Sequence, residues 1–570
     1  MSEQNCELGD IFIVRPTEPH PMNRRSFLKK ALMTTGAIAG MDFLSHFAAH
    51  GLPLDTKTDA KIRDASRQAD NPHFLIYWFL EGGWESYDMF SPVMTPNNVV
   101  ERGPDISKER YRVLKFGQPD YSIYTEGGIR YGYLASPAKP LFKDMAVLSS
   151  METGEFHSGD RLKAHMGHYN LNLQADRGED ERSVLQAFAE AYGQPYPMPH
   201  LSWHWWLSDG ELNEQQYTGR KGYYHALGPA WAHTIYAGTP NNLRQLLLRV
   251  QSISSDPVNQ QINRFLDNVH AHLRRDNDLE VIKSYDSARD IYLKLNSSGS
   301  GLDKTMLSRL FTDAELRERF RITPNDELIT YSSINGNKAR SKFCPNVNVQ
   351  AMMTYEMMRA GLSCAFWIES RDIRLFDSHY SRRGLWGPDG KPIGMPDQTH
   401  MMREHLWNPL LTLVELLKST QYKNTGKSLF DFTTIVLTSE FGRTIHGEVD
   451  GILKMNISEA EKQRQIGDQD ISQHWKVTSA AFLGGKVKGN SQYGAVGEKD
   501  LLAIPIMPDG SLDPAYHPVT GELLPGRKKS EKSFIPNHGD VYATALYLSD
   551  LDPKGRGRNQ RGPLRFIKKG

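Results

Sequence analysis

An α/β fold with a mainly parallel central sheet and helices on both faces follows from two features of this sequence. Four apolar runs lack the alternation of a half-buried strand, and helical patterns separate them. Runs of that kind suit strands buried on both faces of a helix-covered parallel sheet. The first is 74–80, Phe-Leu-Ile-Tyr-Trp-Phe-Leu; the second is 145–149 and the third 362–368. The fourth, 433–438, follows a long helical pattern at 401–417. Between the second and third runs, 185–192, 243–250, 262–273, 279–295 and 305–320 have helical patterns joined by Gly, Pro and Asn-rich turns. Residues 183–345 are therefore expected to form a mostly helical insertion or cap near the carboxyl ends of the strands.

Ahead of this core, Asn23-Arg24-Arg25-Ser26-Phe27-Leu28-Lys29-Lys30 precedes a short run of small and apolar residues at 31–41. Paired arginines, an aromatic-leucine step and a lysine before a weakly hydrophobic stretch form the pattern of a twin-arginine signal. The expected partner is the twin-arginine translocation machinery, and the expected location is the periplasm or another extracytoplasmic site. The apolar run is far shorter than the roughly 20 residues of a bilayer span. No membrane span is expected beyond a signal retained as an anchor. Met22 is an alternative start, and cleavage is expected within 46–58. Residues 1–58 thus read as signal region and polar lead-in, and 59–570 as one large α/β domain with the insertion and a basic tail at 554–570.

Over 570 residues, 68 Lys and Arg stand against 67 Asp and Glu, a formal charge of +1. That balance creates no field for a nucleic-acid partner. Only the tail is one-sided, with seven Lys or Arg and no acid between Lys554 and Lys569. Of three cysteines, Cys6 lies in the leader, so Cys344 and Cys364 form either one disulfide or two buried thiols. There is no Gly-x-Gly-x-x-Gly after a strand, no Walker-type loop and no Cys-x-x-Cys.

Ligands in open α/β sheets bind where strands end, and each of the four exits here is polar. The first run enters Glu81-Gly82-Gly83-Trp84-Glu85-Ser86-Tyr87-Asp88. Glycines let backbone approach closely and carboxylates supply hard oxygens for a divalent ion; a tight turn with solvated acids is the alternative. The second leads through Thr153 to His157, Ser158 and Asp160, then His165 and His168, which share a helix face. His157 and Ser158 would lie at that helix's amino end, where N–H groups hold anions, and Ser158 is a plain N-cap or a nucleophile. After the third come Glu369 and the Asp377-Ser378-His379 triplet, a carboxylate and an imidazole suited to a metal or to acid–base chemistry. The fourth ends in Glu440-Phe441-Gly442-Arg443, with Glu440 a ligand or base and Arg443 an oxyanion or phosphate clamp, or the two a structural pair. His474 and His538 add loop imidazoles. Trp203-His204-Trp205-Trp206 would stack on sugar rings or anchor a local core.

In this order the motifs resemble a large bacterial family of twin-arginine-exported proteins of unknown function, within the alkaline phosphatase and sulfatase-like superfamily. The resemblance is carried by Gly82-Gly83 with Asp88, Ser149-Ser150-Met151 with His157, Asp377 with His379, and Glu440 to Arg443. It continues through a glycine-rich strand at Leu483-Gly484-Gly485 and a closing helix from Asp540. It implies an alkaline-phosphatase-like fold and metal-dependent hydrolysis of phosphate or sulfate esters, on a small molecule or an extracellular polymer. On this expectation Asp88, Asp377, His379 and Glu440 converge on a divalent Zn, Mn, Mg or Ca ion, and either His474 or His538 is a further ligand or only one metal binds. Ser158 or Thr153 attacks, His157 stands beside it, and Arg443 steadies the charge. The superfamily's Asp-His-Gly is represented by Glu440-Phe441-Gly442, one imidazole short, and the sulfatase cysteine signature is missing. The alternative is a non-catalytic exported binding or assembly protein that keeps the fold.

Overall fold

The computed structural model describes residues 72–93, 123–155, 157–167, 183–203, 235–236, 239–253, 304–323, 329–332, 338–341, 346–370, 402–422, 425–443, 456–458, 474–554 and 562–570. The expected signal region therefore lies outside the described residues. Eight strands form the central sheet: β1 (Phe74–Leu80), β2 (Met145–Glu152), β3 (His200–Ser202), β4 (Ile235–Tyr236), β5 (Ala365–Ser370), β6 (Thr433–Thr438), β7 (Val477–Gly484) and β8 (Ser491–Tyr493). Their order across the sheet is β8-β2-β7-β6-β1-β5-β3-β4. β7 runs antiparallel to both neighbours, β6 and β2, and every other adjacent pair is parallel. All seven residues of β1 and all six of β6 are buried, as unalternated runs require. The second run extends to Glu152, and the third begins pairing only at Ala365. β7 is also buried throughout, but its Val-Thr-Ser-Ala-Ala-Phe-Leu-Gly composition carries little apolar signal.

Two groups of helices flank the sheet. α1 (His157–Met166), α2 (Val184–Tyr192) and α8 (His538–Leu548) touch one another; α2 lies on β1, β3 and β5, and α8 on β6. α6 (Val347–Arg359) lies on β5 and packs against α7 (Asn408–Ser419). Twelve consecutive α6 residues, Val347 to Met358, are buried, the mark of an interior helix. The expected helix at 401–417 is a π turn at Arg403–Trp407 followed by α7. Pro409, lacking an N–H, accounts for the break in the α ladder.

Within the expected insertion, α2, α3 (Pro240–Ile253), α4 (Lys304–Arg309) and α5 (Ala314–Arg319) are helical. The patterns at 262–273 and 279–295 lie outside the described residues. The pattern at 305–320 splits because Asp313 starts a new helix, its Oδ1 accepting from Leu316 N–H at 3.0 Å. The segment is not wholly apart from the main fold, since α2 covers β1 while β3 and β4 extend the sheet. Its α5 ends against the start of α6, where Asn348 Nδ2 donates to Phe320 O at 3.0 Å, and α6 in turn reaches β5 through Gln350 Nε2, which donates to Glu369 O at 2.9 Å.

The face of the sheet that carries α1 is locked by aromatic stacking. Tyr77 donates its hydroxyl to Ala164 O of α1 at 2.8 Å and stacks on Trp367, 5.0 Å away; Trp367 in turn stacks on His165 at 3.5 Å. Cys364 is buried, with Sγ 3.4 Å from Pro199 O; Cys344 lies outside the described residues. The end of the basic tail is pinned: Lys568 donates to Tyr547 O at 3.1 Å, and the Arg565 guanidinium lies 5.2 Å from the Tyr547 ring centroid. No helix among the described residues is long and apolar enough to cross a membrane.

His73 starts β1 from a buried position against Tyr192, 4.3 Å between ring centroids, with Nε2 4.0 Å from Asp550. Burial, aided by Lys486 and opposed by Asp550, pushes its pKa down to about 4. The unfolded chain binds this proton more tightly, so the contribution is full above about pH 6.5 and is lost as the pH falls from there towards 4. Urea unfolding is expected to show stability dropping by about 1–2 kcal/mol between pH 7 and 5 on this account. His73→Phe, which keeps a ring on Tyr192, should remove that share of the slope.

Candidate functional site

β1 and β6 are adjacent and parallel, with Phe79 opposite Thr438, so their two exit turns leave the sheet side by side. Gly82 N–H donates to Glu440 Oε1 at 2.8 Å. Arg443 returns the grip from beyond, donating Nε–H to Gly83 O at 3.3 Å and an Nη–H to Gly82 O. Gly82 and Gly83 take φ of +108° and +81°, conformations open to glycine and strained for other residues. A Cβ on Gly83 would sit 2.6 Å from the Phe441 ring, and one on Gly442 would sit 2.0 Å from Val477 O. Ser439 Oγ donates to Leu80 O at 2.6 Å. Every residue from Ser439 to Arg443 thus fastens β6 to β1 or β7, and the two turns form one clasp.

Three further elements attach to it. Arg161 of α1 forms an ion pair with Glu81 and places Nε 3.8 Å from Glu440 Oε1, all three side chains being buried. His538, first residue of α8, donates Nε2–H to Glu440 O at 3.0 Å. It is held there by a capping box in which Asn537 Oδ1 accepts from Asp540 N–H at 3.3 Å and Asp540 accepts from Asn537 N–H at 2.9 Å. Its Nδ1 is buried and meets no hydrogen-bond partner among the described residues. Burial pushes the His538 pKa down, opposed by its bond to the Glu440 carbonyl and by nearby Asp160; a neutral ring with an open Nδ1 lone pair results. His474–Trp475 pairs with Gly442–Arg443, and His474 packs 4.1 Å from Phe441 with Nδ1 2.7 Å from Glu155 O.

The second exit is built around Asp160, whose Oδ1 accepts from Gly154 N–H and Lys163 Nζ, each at 2.8 Å. Gly154 is needed there, since a Cβ would lie 2.4 Å from that carboxylate. Thr153 turns its hydroxyl to Gly154 O at 3.1 Å. His157 and Ser158 open α1, at the amino end expected for them; their side chains lie outside the described residues. At the third exit, Glu369 Oε2 accepts from Trp367 Nε1 at 3.0 Å. Asp88 closes a 3-10 turn, Ser86–Asp88, directly beyond the clasp. Its side chain, with Asp377, His379 and His168, lies outside the described residues, and so does the expected convergence of Asp88, Asp377 and His379 with Glu440. Trp203 is buried and donates Nε1–H to Thr354 Oγ1 at 3.0 Å, as a core anchor does.

Glu440, expected as a ligand or base, and Arg443, expected as a clamp on substrate, both have side chains engaged with the glycine turn. Arg161 was not singled out by sequence reasoning. Its signal was faint: four residues after His157, it shares that residue's helix face.

The donor chemistry suits a hard divalent cation. Glu81, Glu85, Asp160, Glu369 and Glu440 are buried at the strand exits, against the buried guanidiniums of Arg161 and Arg443, with partly exposed Lys163 on Asp160. Buried carboxylates need such partners, and these have them: Gly82 N–H for Glu440, Arg161 for Glu81, Gly154 N–H and Lys163 for Asp160, and Trp367 for Glu369. Among the described residues, however, no group of three or more His, Cys, Asp or Glu is placed to hold a metal ion; the ligand count would rest on Asp88, Asp377 and His379. In comparisons with known proteins, no family model matches the chain, and no curated protein matches it either.

Two substitutions test the clasp. Gly83→Ala, strained in φ and pressed on Phe441, is expected to cost about 2–4 kcal/mol in chemical denaturation. Arg443→Lys, which loses the planar fork that reaches both carbonyls, should cost about 2–3 kcal/mol.

Proposed function

We propose that this chain is an exported, metal-dependent hydrolase of phosphate or sulfate esters, built on a sheet of the alkaline-phosphatase kind. The observation that carries this reading is the gathering of buried carboxylates where parallel strands end, next to the turn that leads to Asp88. The twin-arginine pattern at Arg24-Arg25 supports passage through the translocation machinery to the periplasm. The seven parallel strands and one antiparallel strand support the superfamily assignment at the level of architecture.

Asp88, Asp377 and His379 would hold the ion, Zn, Mn, Mg or Ca. Bound there, it would supply Lewis-acid polarisation of the ester oxygens. Ser158, in the first turn of α1, is the nucleophile assigned, with His157 next to it and the helix N–H groups facing an anionic ester. Thr153 is the weaker choice because its hydroxyl already donates to Gly154 O. Arg443 and Glu440 act by positioning, since together they fix the turn that leads to Asp88. His538 presents a neutral imidazole next to Glu440. The substrate is a small ester or an ester-bearing polymer, and no nucleic-acid partner is assigned.

A second reading, a non-catalytic exported binding or assembly protein, is favoured by one observation: the Glu440 and Arg443 side chains are spent on the fold. Elemental mass spectrometry of protein purified from the exported fraction without chelators, paired with turnover of p-nitrophenyl phosphate and sulfate, separates the two. The hydrolase reading predicts bound divalent metal and turnover, with Asp377→Ala and His379→Ala losing the ion and lowering kcat/KM by about 10³-fold, the scale of losing a charge-stabilising group. A folded, metal-free protein that turns over neither ester would instead establish the binding role.

A further inference from the structure

Glu81 and Glu440 leave adjacent parallel strands and are both buried. Two such carboxylates side by side repel each other, and the repulsion is relieved when one takes up a proton or when a cation lies between them. In many proteins that cation is a divalent ion bridging carboxylates from neighbouring strands. Here the charge between them is the Arg161 guanidinium, paired with Glu81 and 3.8 Å from Glu440 Oε1. An arginine is permanently charged and, unlike an ion, cannot dissociate. It also belongs to α1, the helix that starts with His157 and Ser158, so the same charge that neutralises the strand ends ties that helix to β1 and β6.

We propose that Arg161 is the protein's resident cation, holding the position between Glu81 and Glu440 that a second divalent ion would otherwise take. The strand-end site therefore accepts one divalent ion and not two, and Arg161 is a positioning residue that sets α1 against the sheet. The limit of one ion rests on the hydrolase reading for the ion that Asp88, Asp377 and His379 would hold; the occupancy of the Glu81–Glu440 position does not.

Mn(II) is the probe, counted per chain by electron paramagnetic resonance titration of the processed protein, with thermal melts in parallel. Wild type is expected to bind one Mn(II) at most. Arg161→Gly should bind one more than wild type, lose that extra ion on adding Glu81→Gln, and regain lost thermal stability with either Mn(II) or low-millimolar guanidinium, which fits the vacated position. An unchanged count in Arg161→Gly, or an extra ion that survives Glu81→Gln, overturns the proposal, as does a wild-type count of two. If Arg161→Gly folds only when Mn(II) is supplied, the proposal stands; if it folds in neither condition, Arg161→Lys decides. That variant keeps a cation in place and should retain the wild-type count, whereas a second Mn(II) bound by it contradicts the assignment. Wild type binding no Mn(II) while Arg161→Gly binds one would sink the hydrolase reading and leave this inference intact.

Discussion

The reciprocal grip between the Gly82–Gly83 turn and the Glu440–Arg443 turn is the constraint on which the rest of the site depends. One carboxylate accepts a glycine N–H and one guanidinium donates to both glycine carbonyls, so backbone groups left over where two strands end are satisfied by charged partners. Such bonds are stronger than neutral ones and are made here in the dry interior. From this clasp the other parts take their places. Asp88 follows it by five residues, Arg161 draws α1 onto it, His538 docks α8 on the Glu440 carbonyl, and His474 pairs with its far strand. The elements that bear candidate chemistry are thus registered against one object.

The single antiparallel strand completes this arrangement from the other side. The pairing of β7 with β2 shifts register between Thr478 and Ala480, and such bulges re-aim a side chain next to functional sites. Thr478 there accepts from Trp84 Nε1 at 2.8 Å and lies 3.0 Å from Ser86 Oγ. The chain between the clasp and Asp88 is therefore anchored at Trp84 and Ser86 as well as at its glycines. The close approach of Gly442 to Val477 O explains why the third residue of the motif bears no side chain.

β1 and β6 were legible from sequence to the residue because both are unbroken runs of aliphatic, aromatic and β-branched side chains, which suit a strand buried on both faces. β7 was harder, since Thr, Ser and Ala fill a crowded central position without raising local hydropathy. The π turn before Pro409 was missed because the apolar period runs through it while the hydrogen-bond ladder does not. At the site, the motifs were visible and their roles were not. Glu440 and Gly82 are 358 residues apart, and no local pattern says that a carboxylate will be spent on a distant backbone N–H. Arg161 was overlooked for the same reason: its meaning lies in Glu81 and Glu440, which only the folded sheet brings together.

The claim that the two turns act as one clasp is tested most directly by a double-mutant cycle on folding stability with Glu440→Gln and Arg443→Met. Glu440 holds Gly82 N–H while Arg443 holds the Gly82 and Gly83 carbonyls of the same turn, so the account predicts that the losses are strongly non-additive, with a coupling of about 1 kcal/mol or more. Losses that add to within about 0.5 kcal/mol, the behaviour of independent sites, would contradict it.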